Sequence, residues 1–427
     1  MTYKEAIEYI HSTLKFGSKL GLDNIRYLLN LLGNPHEKLK IIHIAGTNGK
    51  GSTSAMIANT LQGHGYKTGL YTSPYVEVFN ERIRINDEYI SDEDIAQLTS
   101  ELKTHIKTMI DNGRNHPTEF EIITAMAFAY FERQKCDFVV LEVGMGGRLD
   151  ATNVVENPLL SVITAIDFDH TEYLGDTILK IAFEKCGIIK KNSCVVTYSN
   201  QLPDAFDIIK KTCAEKNSKL IVANEPENIV STLHGNTFDI KGHTYKTNLI
   251  GMYQAYNAST AITALNMLNE YGYTNLSQRD IENGIMSTRW KGRFEIVRSN
   301  PLTILDGGHN LNGVTALVQS LKKIINNEKL IIVVGMLKDK QYPECIEKLS
   351  EIAEEFICTD VPSPRYESAY ELQKHAAKYC NKVTVEPDCR KAVDVALEKA
   401  KGQGRMLCIT GSLYLIGDIY GYINKNK

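Results

Sequence analysis

The sequence IIHIAGTNGKGST, at residues 41–53, is the most informative stretch for the fold of the first half of the chain. A short run of β-branched residues leads into a glycine-rich turn, and an apolar helical pattern follows Lys50. Glycines let backbone N–H groups turn towards phosphate oxygens, a helix N-terminus adds positive potential, and Lys50 can neutralise phosphate charge. This arrangement predicts a nucleotide site in which Ser52 or Thr53 faces a metal ion.

The spacing of this turn departs from the strict phosphate-loop pattern. Only two residues separate Gly46 from Gly49, and Gly51 stands between Lys50 and Ser52. The alternative is an ordinary glycine-rich connection that happens to contain a lysine. The strand before it and the helix after it favour the phosphate site.

Similar apolar runs recur along the chain, separated by longer helical patterns. They lie at 41–45, 138–143, 160–166 and 194–198, and again at 303–305, 330–334, 355–358, 382–385 and 406–409. Strands that alternate with helices are typical of parallel sheets. The predicted fold class is therefore α/β, with an N-terminal P-loop-type parallel-sheet ATPase domain and a smaller C-terminal Rossmann-like α/β domain.

The length of 427 residues also favours two domains, because it exceeds what one core usually organises. The pattern is interrupted at 295–301, which places the predicted boundary between domains 1–296 and 297–427. Residues 226–249 contain two glycines among alternating apolar residues, and they predict a small β-hairpin excursion.

Composition excludes several classes of protein. Apolar residues make up 43% and charged residues 23%, as in folded globular proteins, and the net charge of −3 gives no broad positive field for nucleic acid or anionic lipid.

The nine cysteines are scattered without a Cys-x-x-Cys pair, which favours a reducing compartment. Residues 1–10 carry charges that a signal peptide lacks, and 406–423 fits a strand followed by a helix better than a membrane span. We expect a cytoplasmic monomer that acts on small molecules.

The turn GTNGKGS at 46–52 resembles the ATP loop of folylpolyglutamate synthases and dihydrofolate synthases, which belong to the Mur ligase superfamily. Seven further blocks resemble the same family in its own order. They are TSP with NERI (72–74, 80–83), EVGMGGRLDATN (142–153), DHT with LG (169–171, 174–175), EKCGI (184–188), QAYNA (254–258), WKGRFE (290–295) and LDGGHN (305–310). Together the blocks span almost the whole chain, so chance does not explain them.

The resemblance implies an ATP-dependent ligase of folate biosynthesis and one-carbon metabolism, with Mg²⁺ as cofactor. Such an enzyme phosphorylates a substrate carboxylate, and the amine of L-glutamate then attacks the acyl phosphate, releasing ADP and phosphate. The substrate is dihydropteroate, a reduced folate, or both. The segment DATN at 150–153 is more similar to the bifunctional bacterial form, which uses both substrates.

The resemblance also implies a magnesium site formed by Ser73, Glu142 and His170. Glu142 follows a predicted strand, at the sheet edge where α/β proteins bind ligands, and Mg²⁺ prefers oxygen donors. Without the resemblance, His170 would be interpreted as a hydrogen-bonded turn residue.

A catalytic lysine is implied at Lys185, where the matching family residue is carboxylated by carbon dioxide to N6-carboxylysine. Taken alone, Lys185 would be a helix-surface lysine next to Glu184. Carboxylation needs a neutral amine, so burial or nearby positive charge should lower the pKa of Lys185.

For ATP, the resemblance implies contacts from two parts of the chain, so that residues of both predicted domains meet on one nucleotide when the domains close. The implied ATP-binding residues are Gly49, Lys50, Gly51, Ser52, Asn257, Arg293 and Asp306. Lys50 and His309 are implied as catalytic residues near the phosphates. The alternative for His309 is a loop histidine that makes a structural hydrogen bond.

Two further blocks match family segments that contact the pterin ring. Their residues are Thr118, Glu119, Phe120, Glu121, Leu149, Asp150 and Ala151. An aromatic face and carboxylates suit a flat ring with several N–H donors. The alternative is that Phe120 packs in the core and that the two glutamates favour a helix N-terminus.

Three rival functions remain open. A monofunctional folylpolyglutamate synthase would use only reduced folates. A Mur ligase of cell-wall synthesis usually has an additional N-terminal domain, for which the start of the ATP loop at Gly46 leaves no room. A nucleotide-dependent switch would hydrolyse ATP regardless of folate and glutamate.

Overall fold

The structure of the chain is a computed structural model that describes residues 1–17, 21–326 and 328–425. The described residues divide into two compact units. The first contains Met1–Pro74, Asn80–Glu225 and Asn257–Ile285, and the second contains Tyr75–Phe79, Pro226–Tyr256 and Met286–Lys427.

The first unit is built on an eight-stranded sheet. Its strands are β1 (Ile41–Ala45), β2 (Thr68–Tyr71), β3 (Ile83–Ile85), β4 (Glu88–Tyr89), β5 (Phe138–Glu142), β6 (Leu160–Ile163), β7 (Cys194–Thr197) and β8 (Lys219–Val222). Their order is β4-β3-β2-β5-β1-β6-β7-β8, and only the pairs made by β3 are antiparallel. Strands β1 and β5 are buried along their whole length, which explains their continuous apolar sequences.

Ten helices precede, separate or follow these strands along residues 3–287, within the part of the chain that the structure describes. They are α1 (Tyr3–Ser12), α2 (Asp23–Leu31), α3 (Lys50–Gly63), α4 (Asp92–Asp111), α5 (Glu119–Arg133), α6 (Thr171–Leu174), α7 (Ile178–Lys185), α8 (Pro203–Glu215), α9 (Tyr253–Glu270) and α10 (Gln278–Ser287). Strand β1 pairs in parallel with β5 and β6. The carboxyl ends of these three strands therefore lie at one edge of the sheet, which is where α/β proteins bind ligands.

The second unit contains two sheets. An antiparallel sheet is formed by β9 (Glu227–Thr232), β10 (Gly235–Ile240) and β11 (His243–Thr247). A mostly parallel sheet has the order β12-β13-β17-β14-β15-β16, with β12 (Glu295–Ser299), β13 (Leu302–Asp306), β14 (Leu330–Val334), β15 (Ala353–Cys358), β16 (Val383–Val385) and β17 (Leu407–Thr410).

Helices cover both faces of that parallel sheet. Residues of α11 (Leu311–Ile324), α12 (Tyr342–Ser350) and α13 (Ala369–Ala376) join one apolar cluster, whereas residues of α14 (Cys389–Gln403) and α15 (Leu413–Lys425) join the other. This layering confirms the predicted α/β class and the Rossmann-like second sheet. It also confirms that 406–423 forms a strand followed by a helix.

One local prediction differs from the structure, because the excursion at 226–249 has three strands instead of a two-stranded hairpin. Within 295–301, where the predicted pattern is interrupted, Glu295–Ser299 forms edge strand β12 with a register shift between Ile296 and Arg298. The boundary between residues 296 and 297 stays a prediction. No helix in the described part of the chain is long and apolar enough to cross a membrane.

Candidate active site

The glycine-rich turn joins the end of β1 to the first residue of α3, Lys50. The backbone N–H groups of Thr47 and Asn48 donate to the Ala165 carbonyl, at 2.7 and 3.2 Å, and fix the turn beside the end of β6. The first N–H groups of a helix have no acceptor within the helix, so the start of α3 provides donors for a phosphate group. This is the local structure that the sequence predicted around Gly49.

Two positions in this turn require glycine. A side chain at Gly46 would place its Cβ 1.8 Å from Thr164 Oγ1. Gly49 has a φ of +86°, and its Cβ would lie 2.3 Å from Oδ1 of Asn257. The same close approach shows that Asn257, predicted to bind ATP, lies directly against the turn.

Two lysine amines meet at the Gly46 carbonyl. Lys50 Nζ donates to the carbonyls of Gly46 and Thr47, at 3.2 Å each, and Lys185 Nζ donates to Gly46 at 2.7 Å. Lys185 is only 3% exposed, so the alternative of a helix-surface lysine is wrong. Burial, reinforced by the charge of Lys50, lowers the pKa of Lys185 to about 7. A neutral amine, which carboxylation requires, is thus accessible near neutral pH, and the modification itself stays a prediction.

The predicted metal ligands Ser73 and Glu142 lie together. Glu142 is the last residue of β5 and is 4% exposed, and its Oε2 accepts the backbone N–H of Ser73 at 3.3 Å. Strand β2, which precedes Ser73, runs parallel to β5, so both residues occupy the same sheet edge. A carboxylate and a hydroxyl suit Mg²⁺, which completes its coordination with water and phosphate oxygens. The residues present therefore fit this ion.

His170 occupies a turn at the start of α6. Its backbone is left-handed, with a φ of +49°, and its backbone N–H donates to Asp169 Oδ1 at 2.9 Å. Within the described ranges, no group of three or more His, Cys, Asp and Glu residues is close enough to hold a metal ion. The role of His170 as a ligand stays a prediction.

The predicted pterin block at Thr118–Glu121 begins helix α5. Thr118 is the N-cap, and its hydroxyl accepts the N–H of Glu121, whose Oε2 in turn accepts the N–H of Thr118 at 2.8 Å. This capping box shows that Glu121 supports the helix start, as the alternative interpretation held. Glu119 instead makes a 2.8 Å contact with His11 Nδ1, on α1.

Phe120 approaches the second predicted pterin block. Its Cζ would lie 2.4 Å from a Cβ at Gly144, and the backbone N–H of Met145 donates to Asp150 Oδ2 at 2.9 Å. Leu149 and Ala151 flank Asp150 in sequence. The two predicted pterin blocks, which are distant in sequence, therefore meet at the Gly144 turn.

In the second unit, Arg293, Asp306 and His309 surround the loop that follows β13. Asp306 is buried and accepts the N–H groups of Phe294 and Gly308, at 2.8 Å each. Burial raises the pKa of the Asp306 carboxyl, and the nearby Arg293 guanidinium opposes that rise. His309 Nδ1 donates to the Gly307 carbonyl at 2.9 Å, which is the structural hydrogen bond of the alternative interpretation.

Sequence reasoning missed three residues that contact this site. His11 contacts Glu119. His43 forms a hydrogen bond with the Thr152 hydroxyl, which in turn donates to Asp150. Thr152 lies inside a block already quoted for its resemblance, and His43 interrupts an otherwise apolar strand, which is a signal that could have been used. Nothing in the sequence around His11 marks it.

Comparisons with known protein families match both parts of the chain. Residues 44–265 match the Mur ligase middle domain, and residues 292–413 match the Mur ligase glutamate ligase domain. The dihydrofolate synthase/folylpolyglutamate synthase of Bacillus subtilis is 40% identical, over 98% of each chain.

Solved structures show the same similarity. A folylpolyglutamate synthase of Thermotoga maritima is 37% identical with a TM-score of 0.85, covering 100% of this chain and 97% of that one. E. coli FolC in complex with DHPP and ADP is 28% identical with a TM-score of 0.86, covering 99% and 98%.

Proposed function

The chain belongs to the dihydrofolate synthase/folylpolyglutamate synthase family of Mur ligases, and we propose that it is a bifunctional member. It is an ATP-dependent ligase that joins glutamate to folates, with Mg²⁺ as the partner of ATP. The proposed substrates are dihydropteroate and reduced folates. The observation that carries this proposal is the 40% identity, over 98% of each chain, to an enzyme that bears both names. The Thermotoga maritima neighbour, named only as a folylpolyglutamate synthase, supports the monofunctional alternative.

The proposed reaction has two steps. A carboxylate oxygen of the folate substrate attacks the γ-phosphorus of ATP, the bond to the bridging oxygen breaks, and ADP leaves. The deprotonated amine of glutamate then attacks the acyl carbon, and the C–O bond to phosphate breaks to release inorganic phosphate. Bound Mg²⁺ compensates charge on the phosphoryl oxygens.

The phosphate contacts are assigned to Gly49, Lys50, Gly51 and Ser52. Lys50 Nζ donates to two carbonyls of its own turn, and its ammonium group has a third N–H to donate to a phosphate oxygen. A fixed ammonium and helix N–H groups stabilise charge on the transferred group without reorganising at the moment of reaction. Ser73, Glu142 and His170 are proposed to hold the metal.

Lys185 and His309 are proposed to act close to the transferred phosphoryl group. Carboxylated Lys185 would place an anion at the buried position that its amine now occupies. His309 Nδ1 faces a carbonyl oxygen, which can only accept, so a neutral ring has its lone pair on Nε2. That lone pair suits His309 to take a proton from the attacking amine.

The pterin is assigned to Thr118, Glu119, Phe120 and Glu121 together with Leu149, Asp150 and Ala151. Two contacts support this assignment. Phe120 lies close to Gly144, and the backbone N–H of Met145, the next residue, donates to Asp150. Arg293, Asp306 and Asn257 are proposed to contact ATP. We also infer a cytoplasmic location, because all nine cysteines are free thiols, as a reducing compartment favours. We further propose that the protein is a monomer, which sedimentation velocity tests.

The decisive experiment measures ADP and amide product with dihydropteroate, tetrahydrofolate and glutamate added singly and together. We expect ADP in step with a new amide bond only when glutamate accompanies a folate acid, and with both acids. No product from dihydropteroate would identify the monofunctional form. ADP release indifferent to all three would identify a nucleotide switch. Lys50→Ala should fold normally and lose the activity, because it removes the phosphate contact.

A further inference from the structure

His43 is a polar residue in strand β1, whose five residues are all fully buried. The other four residues of β1 are apolar, and His43 is fully buried between Leu141 of β5 and Ser161 of β6. An imidazole at such a position loses its hydration, whereas an aliphatic side chain would gain from burial. None of the roles assigned above uses it.

The hydrogen bonds of His43 have a defined direction. Its Nε2 lies 2.9 Å from Thr152 Oγ1, and that hydroxyl lies 2.6 Å from Asp150 Oδ1. A hydroxyl has one proton, and a carboxylate only accepts, so Thr152 donates to Asp150 and His43 Nε2–H donates to Thr152. Burial lowers the pKa of His43 to about 3, so the ring is neutral, with its lone pair on Nδ1. No donor among the described residues meets Nδ1.

Asp150 is the acceptor at the end of this chain. Besides the hydroxyl, Oδ1 accepts the backbone N–H of Thr152 at 3.0 Å, and Oδ2 accepts the N–H of Met145. Within the described ranges, the groups that contact these oxygens are donors, which is the environment of an ionised carboxylate. Burial raises the pKa of Asp150, and the donors from Thr152, Met145 and Gly144 oppose that rise.

We propose that His43 is a positioning residue of the pterin site, whose Nε2–H fixes the Thr152 hydroxyl so that this hydroxyl orients Asp150 towards the substrate. The proposal rests on the function proposed above, in which Asp150 receives the pterin. It explains why an imidazole stands in an apolar strand: the strand is the rigid element from which the carboxylate is oriented.

The test compares steady-state kinetics of two pairs of variants, with the folate substrate, ATP and glutamate varied in turn. His43→Leu and Thr152→Val each remove a donor, whereas His43→Gln and Thr152→Ser each keep one. We expect the two donor-removing variants to raise the KM for dihydropteroate about tenfold, the effect of losing about 1.4 kcal/mol. The KM values for ATP and glutamate and the kcat should change less than about twofold. The two donor-retaining variants should recover most of the affinity.

His36 provides a matched control. It is a buried histidine of the same unit that packs against Phe128 and takes no part in the chain of hydrogen bonds. His36→Leu should leave the KM for dihydropteroate unchanged. Combining His43→Leu with Thr152→Val should cost no more than either change alone, because both break one chain.

Each outcome decides the proposal. Equal KM changes in His43→Leu and His36→Leu, or no recovery in His43→Gln, would make His43 a core residue without a positioning role. If His43→Leu does not fold, Thr152→Val against Thr152→Ser decides. Failure of the underlying function is distinguishable: wild type would then form no amide from dihydropteroate, or Asp150→Asn would leave its KM unchanged.

Discussion

Lys185 is buried, and its hydrogen-bond partner is a neutral carbonyl. Burying a charged ammonium group without an opposite charge costs folding free energy. The cost is relieved when the amine loses its proton or is converted to an anion that a metal ion can balance. A lysine kept only for packing would be replaced at lower cost by methionine. The structure therefore gives the family resemblance at this position a physical reason.

The pH dependence of stability should reveal this burial. The pKa of Lys185 is about 7 in the folded chain and 10.5 in the unfolded reference, so the unfolded state binds more protons between these values. Stability contributed by this group therefore rises with pH across that window. In carbonate-free buffer, wild type should gain up to several kcal/mol relative to Lys185→Met between about pH 7 and about pH 10. Urea unfolding at each pH measures the difference.

Lys180 serves as the control for this measurement, because it is an exposed lysine on the same helix, α7. Lys180→Met should show the same change of stability with pH as wild type between about pH 7 and about pH 10. Parallel curves for Lys185→Met and wild type would show that Lys185 is not buried as an amine with a lowered pKa.

Gly144 tests the meeting of the two pterin blocks. A Cβ there would lie 2.4 Å from Phe120 Cζ, and Gly144 has no positive φ, so the strain of alanine would be steric only. Gly144→Ala should displace the Phe120 ring and raise the KM for folate substrates about tenfold while the KM for ATP stays the same. Gly402→Ala, where nothing lies within 4 Å, is the control and should leave both unchanged. If Gly144→Ala and Gly402→Ala had the same KM for folate substrates, Phe120 would not contact the substrate.

At the level of single residues, the sequence predicted the types of chemistry and missed the contacts that orient them. Glu142 could be placed at a sheet edge because it follows an apolar strand. The local pattern alone could not predict the burial of Lys185, since Glu184 stands beside it in helix α7 and its hydrogen-bond partner, Gly46, is distant in sequence. The pairing of His11 with Glu119 is likewise a tertiary contact that no local pattern records.

At the level of elements, helix α5 carries the first pterin block on its opening turn, so its cap should affect both stability and binding. Thr118→Ala removes the hydroxyl that accepts the N–H of Glu121 and should cost about 1 kcal/mol of stability. The KM for folate substrates should rise as well, because Phe120 loses its fixed turn. Thermal unfolding and steady-state kinetics measure the two effects, and Thr118→Ser should restore both.

Ser91 is a matched control for this cap, since it accepts the N–H of Asp94 at the start of α4. Ser91→Ala should cost a similar amount of stability and leave the KM for folate substrates unchanged. A change in KM of the same size in both variants would mean that α5 has no particular connection with the substrate.

Strands were predictable where burial made them continuously apolar, as in β1, β5 and β14. Strands β2 and β8 were missed for different reasons. Strand β2 is only four residues long and contains a glycine, and β8 is an edge strand whose residues are half-buried or exposed. The burial pattern of such strands comes from their neighbours in the sheet, which local sequence does not reveal.

For the protein as a whole, the seven family blocks identified the chemistry better than composition or periodicity did, because they follow the family's own order along almost the whole chain. Periodicity gave the two successive α/β series. It did not give the assignment of 75–79 and 226–256 to the second unit, since that division depends on contacts between segments far apart in sequence.

The predicted boundary between residues 296 and 297 can be tested through strand β12. This strand pairs antiparallel with β13 at the edge of the second sheet. A fragment of residues 297–427 would begin inside β12 and leave the edge of β13 unpaired, which favours association between copies. A fragment of residues 286–427 keeps the strand, and both fragments lack 226–256 equally. We therefore expect the longer fragment to unfold at a higher temperature and to stay monomeric in sedimentation, whereas equal behaviour would support the boundary at 296/297.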